Sequence, residues 1–380
     1  MDIIDRFLAR VAPKQQLRHD TKNIVSKKRR VSRSLRRYSY RVDATMRNWK
    51  QAVTIAEDPI RPSRELLYLL YHRTMEDDQL LAQVRTARFN IQMGDYSIMC
   101  DGVEQEDITD SFDTPWFYNY IQHAVDAELF GYSLVELIPD RVTGLIKEVC
   151  VIPREHYKPE HHQLLVRPSD QEGISYNEGP LAKRVIGIGN TEDLGLLKSI
   201  SKMVIRKDYN LTDWGRRNER FGTPIIVQKT DSVDEAEWNK KEKNLQNFGS
   251  NLYMLMDSTD EFEIKEALSN TGGGHKTFVD YTEYVDKCIA IIVNGQTTTS
   301  EQTAYVGSAE VQERQHNKYT LARMRRIQYH INFELFPWLV KNYDYPLSNC
   351  KFQFEDLVKN EEAVTIDVDN TDTENQKKKS

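Results

Sequence analysis

The sequence predicts an α+β protein in which helices cover small sheets, and three observations predict it. Apolar residues recur at helical spacing over long stretches, most clearly at 194–220, 277–294 and 305–333. Short apolar runs bounded by Gly and Pro, such as 132–138 and 146–152, stand apart from them and read as strands. No fixed-period repeat organises the 380 residues, which argues against a solenoid.

Composition narrows the class. Hydrophobic residues make up 39% of the chain and charged residues 29%, so the core is lean and much of the surface stays wet or is shared with partners. No apolar run reaches the ~18 to 20 residues of a bilayer crossing, and Met1-Asp2-Ile3-Ile4-Asp5 has no basic region leading into an apolar one. The chain therefore reads as soluble and unsecreted, with no membrane partner. Its four cysteines, Cys100, Cys150, Cys288 and Cys350, form no CxxC and have apolar neighbours. They are expected to be buried free thiols in a reducing compartment, with neither a disulfide nor a zinc site.

The net charge of −6 conceals an asymmetry. Ten Lys or Arg lie between Arg18 and Arg41, against the single acid Asp20. Lys27, Lys28, Arg29, Arg30, Arg33, Arg36 and Arg37 form the densest part of this cationic arm. Phosphate neutralisation would give such an arm sequence-independent affinity for nucleic acid, and a solvated or partner-bound basic helix is the equal alternative. At the other end Glu361, Glu362, Asp367, Asp369, Asp372 and Glu374 have no base between them, and residues 359–380 are too polar to offset the entropy of ordering.

Taken in order, 48–56 and 64–88 carry apolar residues at helical spacing, Leu66, Leu67, Leu69 and Leu70 and then Leu80, Leu81 and Val84. Asp58-Pro59 and Arg61-Pro62 separate the helices. Residues 89–99 alternate (Phe89, Ile91, Met93, Tyr96, Ile98) and read as a strand broken at Gly94-Asp95. Asp113-Thr114-Pro115 opens a helix, with Pro115 in the first turn where its missing N–H is harmless, and Gly131 closes it after Phe130. The runs 132–138 and 146–152 flank a turn containing Pro139, Asp140 and Gly144, a hairpin signal.

The second half opens with a loop at 187–190, followed by a long helix over 194–220 that Phe221-Gly222-Thr223-Pro224 stops. A strand at 225–228, a polar helix at 233–247 and strands at 252–256 and 262–264 make a compact αβ insert. Gly272, Gly273 and Gly274 form a flexible hinge before the helix 277–294. After Gly295 a polar turn leads to a third long helix, 305–333, on which Arg314, Lys318, Arg323, Arg325 and Arg326 are displayed.

Catalytic motifs are weak throughout. Gly272-Gly273-Gly274-His275-Lys276-Thr277 lacks both glycines of a phosphate loop, having His275 directly before the lysine and Asn270 five positions earlier. Gly187-Ile188-Gly189 has no third glycine and no following βαβ unit. His156, His161 and His162 lie in a stretch that Pro159 and Pro168 mark as loop and strand, read as a surface hairpin, with no Cys or HExxH companion for a metal. The acids Asp193, Asp208, Asp213, Glu219, Asp280, Glu283 and Asp286 read as solvated faces of the two long helices.

Three stretches carry a resemblance. Phe130-Gly131-Tyr132-Ser133-Leu134-Val135-Glu136 is the first. Trp214 with Asn218-Glu219-Arg220-Phe221-Gly222-Thr223-Pro224 is the second. The third is Ile291-Ile292-Val293-Asn294-Gly295-Gln296-Thr297-Thr298-Thr299-Ser300-Glu301. Together they resemble the portal proteins of tailed bacteriophages, specifically the Mu-like portal family, over residues 10–357. The Gly-Gln-Thr string is the most specific part, although Thr298 stands where the family usually has Leu.

The resemblance implies the phage portal fold, with an α/β wing, two long stem helices, a small αβ clip and a short helical crown. The wing with its basic arm would be 1–192, the first stem helix 193–220, the clip 221–268, and the hinge and second stem helix 269–294. The tunnel loop would be 295–304, with Gln296, Thr297, Thr298, Thr299 and Ser300 facing DNA, the crown side 305–358 and a disordered acidic tail 359–380. It implies a ring of about twelve subunits at one capsid vertex, assembled in the bacterial cytoplasm, through which double-stranded DNA is packaged and ejected. Terminase large subunit, capsid and scaffold proteins and a head-tail adaptor would be its partners, with no catalysis, cofactor or metal. Two alternatives stand beside it: a metal-dependent nucleic-acid-processing enzyme using Asp280 and Asp286, and a non-viral ring component.

Overall fold

The structure is a computed structural model of the chain, and it describes residues 31–35, 42–140, 142–221, 225–229, 234–236, 239, 243, 261–265, 273–295 and 306–360. Two compact units divide it, one of Met1–Ile205 with Val285–Ser380 and one of Arg206–Tyr284. The architecture is mixed, with helices and small sheets whose described pairings are all antiparallel.

The first unit begins with the short helix α1 (Val31–Ser34), then α2 (Met46–Ala56), α3 (Glu65–Thr74) and α4 (Asp78–Gln92). Side chains close two of these helix starts: Thr45 accepts from the Asn48 N–H at 3.1 Å, and Asp77 from the Leu80 N–H at 3.0 Å. Strands β1 (Tyr96–Cys100) and β2 (Val103–Glu104) lead through α5 (Glu106–Phe112) to α6 (Pro115–Phe130). Gly131 ends α6 at φ +86°, and a Cβ there would lie 2.1 Å from the Asp193 carbonyl, so no other residue fits.

The hairpin expected at 132–152 is β3 (Tyr132–Pro139) and β4 (Ile146–Val151). A small sheet of β5 (Tyr157–Lys158), β6 (Gln163–Leu164) and β7 (Ile174–Ser175) follows, and then β8 (Val185–Gly189), which pairs with β3. The loop expected at 187–190 is thus largely strand, because Ile186 and Ile188 are buried in the core beneath α6 and Val185 is buried on the opposite face. Helix α6 is apolar nearly all round and is buried accordingly. One side meets Val135, Leu137, Ile186 and Ile188 of the β4-β3-β8 sheet. On the other, the Phe117 ring packs 5.5 Å from Tyr96 and 5.6 Å from Phe352.

Helix α4 overturns the strand expected at 89–99. It continues through Gln92, because Leu80, Val84, Ala87 and Ile91 form one buried helical stripe, while Phe89 and Met93 are exposed. Only Tyr96–Cys100 is strand. His156 is likewise buried rather than on a surface hairpin, its ring 3.1 Å from the Leu165 carbonyl.

Three long helices follow: α7 (Leu197–Phe221), α8 (Gly273–Asn294) and α9 (Val306–His330). The unit Arg206–Tyr284 holds strands β9 (Ile225–Lys229) and β10 (Glu261–Lys265), paired with Ile225 opposite Lys265. Within it Asn210 donates to the Phe278 carbonyl at 2.8 Å and to the Thr282 hydroxyl at 3.1 Å, tying α7 to α8. Most of 233–247 and all of 252–256, expected as a helix and a strand, lie outside the described residues.

After α9 the chain makes a π turn (Ile331–Leu335) before α10 (Phe336–Tyr343). Pro337 accounts for it: lacking an N–H, it cannot bond the Phe333 carbonyl, and the Phe336 N–H reaches Ile331 instead. The last strand, β11 (Cys350–Phe354), pairs with β1. Its outer edge is closed by α9 and the π turn: Asn332 donates to the Phe352 carbonyl at 2.9 Å and accepts its N–H at 2.7 Å, and Gln328 accepts the Phe354 N–H at 3.0 Å.

That register corrects the expectation of free thiols. Cys100 lies directly opposite Cys350, with Cα atoms 4.0 Å apart, and the two form a disulfide. Since Phe352 and Phe354 turn their polar main-chain groups toward α9 and the π turn, Cys350, in phase with them, forms a non-hydrogen-bonded pair with Cys100, the kind that brings side chains closest. Cys150 and Cys288 take part in no disulfide and are half-buried rather than buried.

Candidate functional site

Of the residues singled out from sequence, Gln296, Thr297, Thr298, Thr299 and Ser300 lie outside the described residues, as do Lys27, Lys28, Arg29, Arg30, Arg36 and Arg37. Arg33 lies on α1. Gly273 and Gly274 are the first two residues of α8, and Gly272 falls outside the description. What the structure does define is the end of α8 and the part of α9 packed against it.

A helix end leaves carbonyls without partners. At the end of α8 two of them are taken by α9: Arg323 donates to the Val293 carbonyl at 2.9 Å, and His316 to that of Asn294 at 3.2 Å through Nδ1. Because a carbonyl only accepts, His316 carries its proton on Nδ1, and Nε2 accepts from the Asn90 amide of α4 at 2.7 Å. Gly295 then turns at φ +74°, donating its N–H to the Ile291 carbonyl at 2.9 Å. A Cβ on Gly295 would lie 2.5 Å from the Tyr319 ring, so this turn requires glycine.

Asn294 faces the other way. Its amide donates to the Gln83 carbonyl at 3.0 Å and to the Gln83 side chain at 2.7 Å, whereas its own Oδ1 is buried without a partner. Arg323 is itself buried, which corrects the expectation that it is displayed; its Nε donates to Glu128 on α6 at 2.6 Å. Arg326 reaches the same carboxylate at 2.6 Å. Burial alone would raise the Glu128 carboxyl, but the hydrogen bond and charge of Arg323, joined by Arg326, outweigh it and hold the group below the ordinary glutamate range. Arg314, Lys318, Arg325 and Arg326 are exposed on α9, as expected.

Of the acids expected on solvated helix faces, Asp208, Asp213, Glu219, Asp280 and Glu283 are exposed as expected, whereas Asp286 is half-buried and Asp193 precedes α7. Among the described residues no three His, Cys, Asp or Glu side chains come together to hold a metal, and no helix is long and apolar enough to cross a membrane. Sequence reasoning missed Gln83, Asn90, Glu128 and His316, which lie on three helices with no shared motif. It also missed Arg64, a buried guanidinium bonded to Glu160 at 2.6 Å and to the Thr191 and Asp193 carbonyls. A lone acid within an apolar strand, Glu136, was the one signal available for a buried polar site.

The fold is similar to that of chains from gene transfer agent particles. A chain from the neck of a native gene transfer agent particle computed with C12 symmetry is 12% identical, with 82% of this chain and 89% of that one covered and a TM-score of 0.51. A chain from the virion of a native gene transfer agent particle is 10% identical, covering 85% and 94%, also at 0.51. An HK97 family phage portal protein from Corynebacterium diphtheriae is 11% identical, covering 76% and 96%, with a TM-score of 0.44. No curated protein matches the chain. The family model of the portal protein of Mu bacteriophage matches residues 68–375, and the chain belongs to that family.

Proposed function

We propose that the chain assembles as a closed ring of about twelve copies at one vertex of a phage capsid, and that the ring is the channel through which double-stranded DNA is packaged and later ejected. The observation that carries this reading is the family match over residues 68–375. In this role the protein has no catalysis of its own. Terminase large subunit, capsid and scaffold proteins and a head-tail adaptor dock on it, with the insert at 221–268 as the clip that meets terminase or the adaptor.

The chemistry of the loop suits a conduit. DNA must slide, and each fixed cation that neutralises a phosphate releases counterions and tightens binding. Gln296, Thr297, Thr298 and Thr299 offer hydrogen bonds without such anchoring. The bonds from Arg323 and His316 to the end of α8 hold the loop's root, so contact with a passing duplex need not shift the flanking helices.

Imaging the purified chain tests the reading. Closed rings with a central opening wide enough for a duplex are expected, and monomers or open filaments at every concentration would refute it.

A further inference from the structure

Glu136 is a fully buried carboxylate on β3, the central strand of the β4-β3-β8 sheet. The two-residue period of the strand turns it to the face opposite Val135 and Leu137, which belong to the core beneath α6. A carboxylate taken out of water is tolerated only when donors replace the lost solvent. Arg184 supplies one, at 2.5 Å.

The others come from the cationic arm. Oε1 accepts the Val31 N–H at 2.9 Å, and Oε2 accepts the Ser32 N–H at 2.9 Å and the Ser32 hydroxyl at 3.0 Å. Val31 is 0% exposed and Leu35 6%, so a short piece of an otherwise polar arm is sunk into the first unit at both of its ends. The carboxylate and the segment satisfy each other: without the arm Oε2 loses both of these bonds, and without Glu136 one buried and one half-buried main-chain donor lose their acceptor.

We propose that Glu136 and Arg184 form a peptide-docking site for a Val-Ser-x-x-Leu segment, and that its occupant is the chain's own Val31–Leu35. The two oxygens read the segment's main chain and its serine, while Val31 and Leu35 provide the apolar anchors. The docked stretch fixes the root of the arm. Lys27, Lys28, Arg29 and Arg30 lead directly into it and Arg36 and Arg37 lead directly out, so two cationic clusters flank one fixed point on the sheet.

Hydrogen exchange on the full chain tests the site, with Leu35→Asp altering the occupant and Glu136→Gln the receptor. In the unaltered chain the Val31 and Ser32 amides are expected to exchange about 100-fold more slowly than in an unstructured peptide. In Leu35→Asp, which leaves the sheet untouched, that protection is expected to vanish while the melting temperature falls by no more than about 5 °C. A labelled synthetic peptide of residues 27–41 should then bind the full-length Leu35→Asp chain saturably, and adding Glu136→Gln should weaken it by about tenfold or more. Unprotected Val31 and Ser32 amides in the unaltered chain would overturn the proposal. So would protection that survives Leu35→Asp, or peptide binding indifferent to Glu136→Gln.

Discussion

Arg323 and Glu128 are joined at 2.6 Å across α9 and α6, and the same guanidinium holds the Val293 carbonyl at 2.9 Å. One buried cation thus links the end of α8, the body of α9 and the central helix of the core. Replacing Arg323 by Ala leaves Glu128 with only the exposed Arg326 and strips the Val293 carbonyl of its partner. Breaking a buried pair costs about 3 to 5 kcal/mol. The expected outcome is a lowered urea midpoint with an unchanged slope, and Arg323→Lys should recover only part of it because lysine cannot reproduce the fork of bonds.

His330 should make stability depend on acid. It is largely enclosed, stacked on Tyr120 and 2.8 Å from its hydroxyl, and loss of solvent pushes its pKa down to about 4. Since the folded value lies below the unfolded one of about 6.5, the unfolded chain takes up the proton first. Stability is complete above pH 6.5 and falls as pH drops toward 4, by about 3 kcal/mol in all. Urea unfolding across this window reads the slope, and His330→Gln should flatten it. An equal slope in the variant would mean that another group is responsible.

The Cys100–Cys350 link is checked by peptide mapping without reductant, which should recover the two cysteines in one cross-linked fragment. A disulfide of this kind contributes about 2 to 4 kcal/mol, so reduction should lower the melting temperature. Cys100→Ser should match the reduced protein and respond no further to reductant.

Asn332→Leu removes both bonds to the edge of β11. The unpaired Phe352 N–H and carbonyl should cost about 1 to 3 kcal/mol each if they stay buried. Because an opened edge is a template for strand pairing, the variant should also form larger species in light scattering at concentrations where the parent does not.

Much of the fold was legible because its signals are local. The stripes on α7 and α8 are set by residues three and four apart, and Pro115 and Gly131 mark the ends of α6. The misreading at 89–99 arose where two periods overlap: Phe89, Ile91 and Met93 alternate like a strand, whereas Ile91 also completes the helical stripe from Leu80, Val84 and Ala87. β11 and its disulfide escaped because the strand that completes them lies 250 residues away.

The loop root was hidden for a related reason. Gln83, Glu128, Asn294, His316 and Arg323 are polar residues with no common spacing, and only packing brings them together. Arg323 also stands among exposed basic residues, where nothing local distinguishes the one that turns inward. The Gly-Gln-Thr string lies outside the described residues, and what it carried was the family, a likeness of sequence rather than a deduction from physics.

The bond between the two facing cysteines has a topological consequence. It turns the backbone from 100 to 350 into a covalent lasso, and the entire excursion Arg206–Tyr284 hangs inside the noose. Traction on that excursion cannot peel β11 away from β1, because the load reaches the sulfur bridge before it reaches the hydrogen bonds of the ladder.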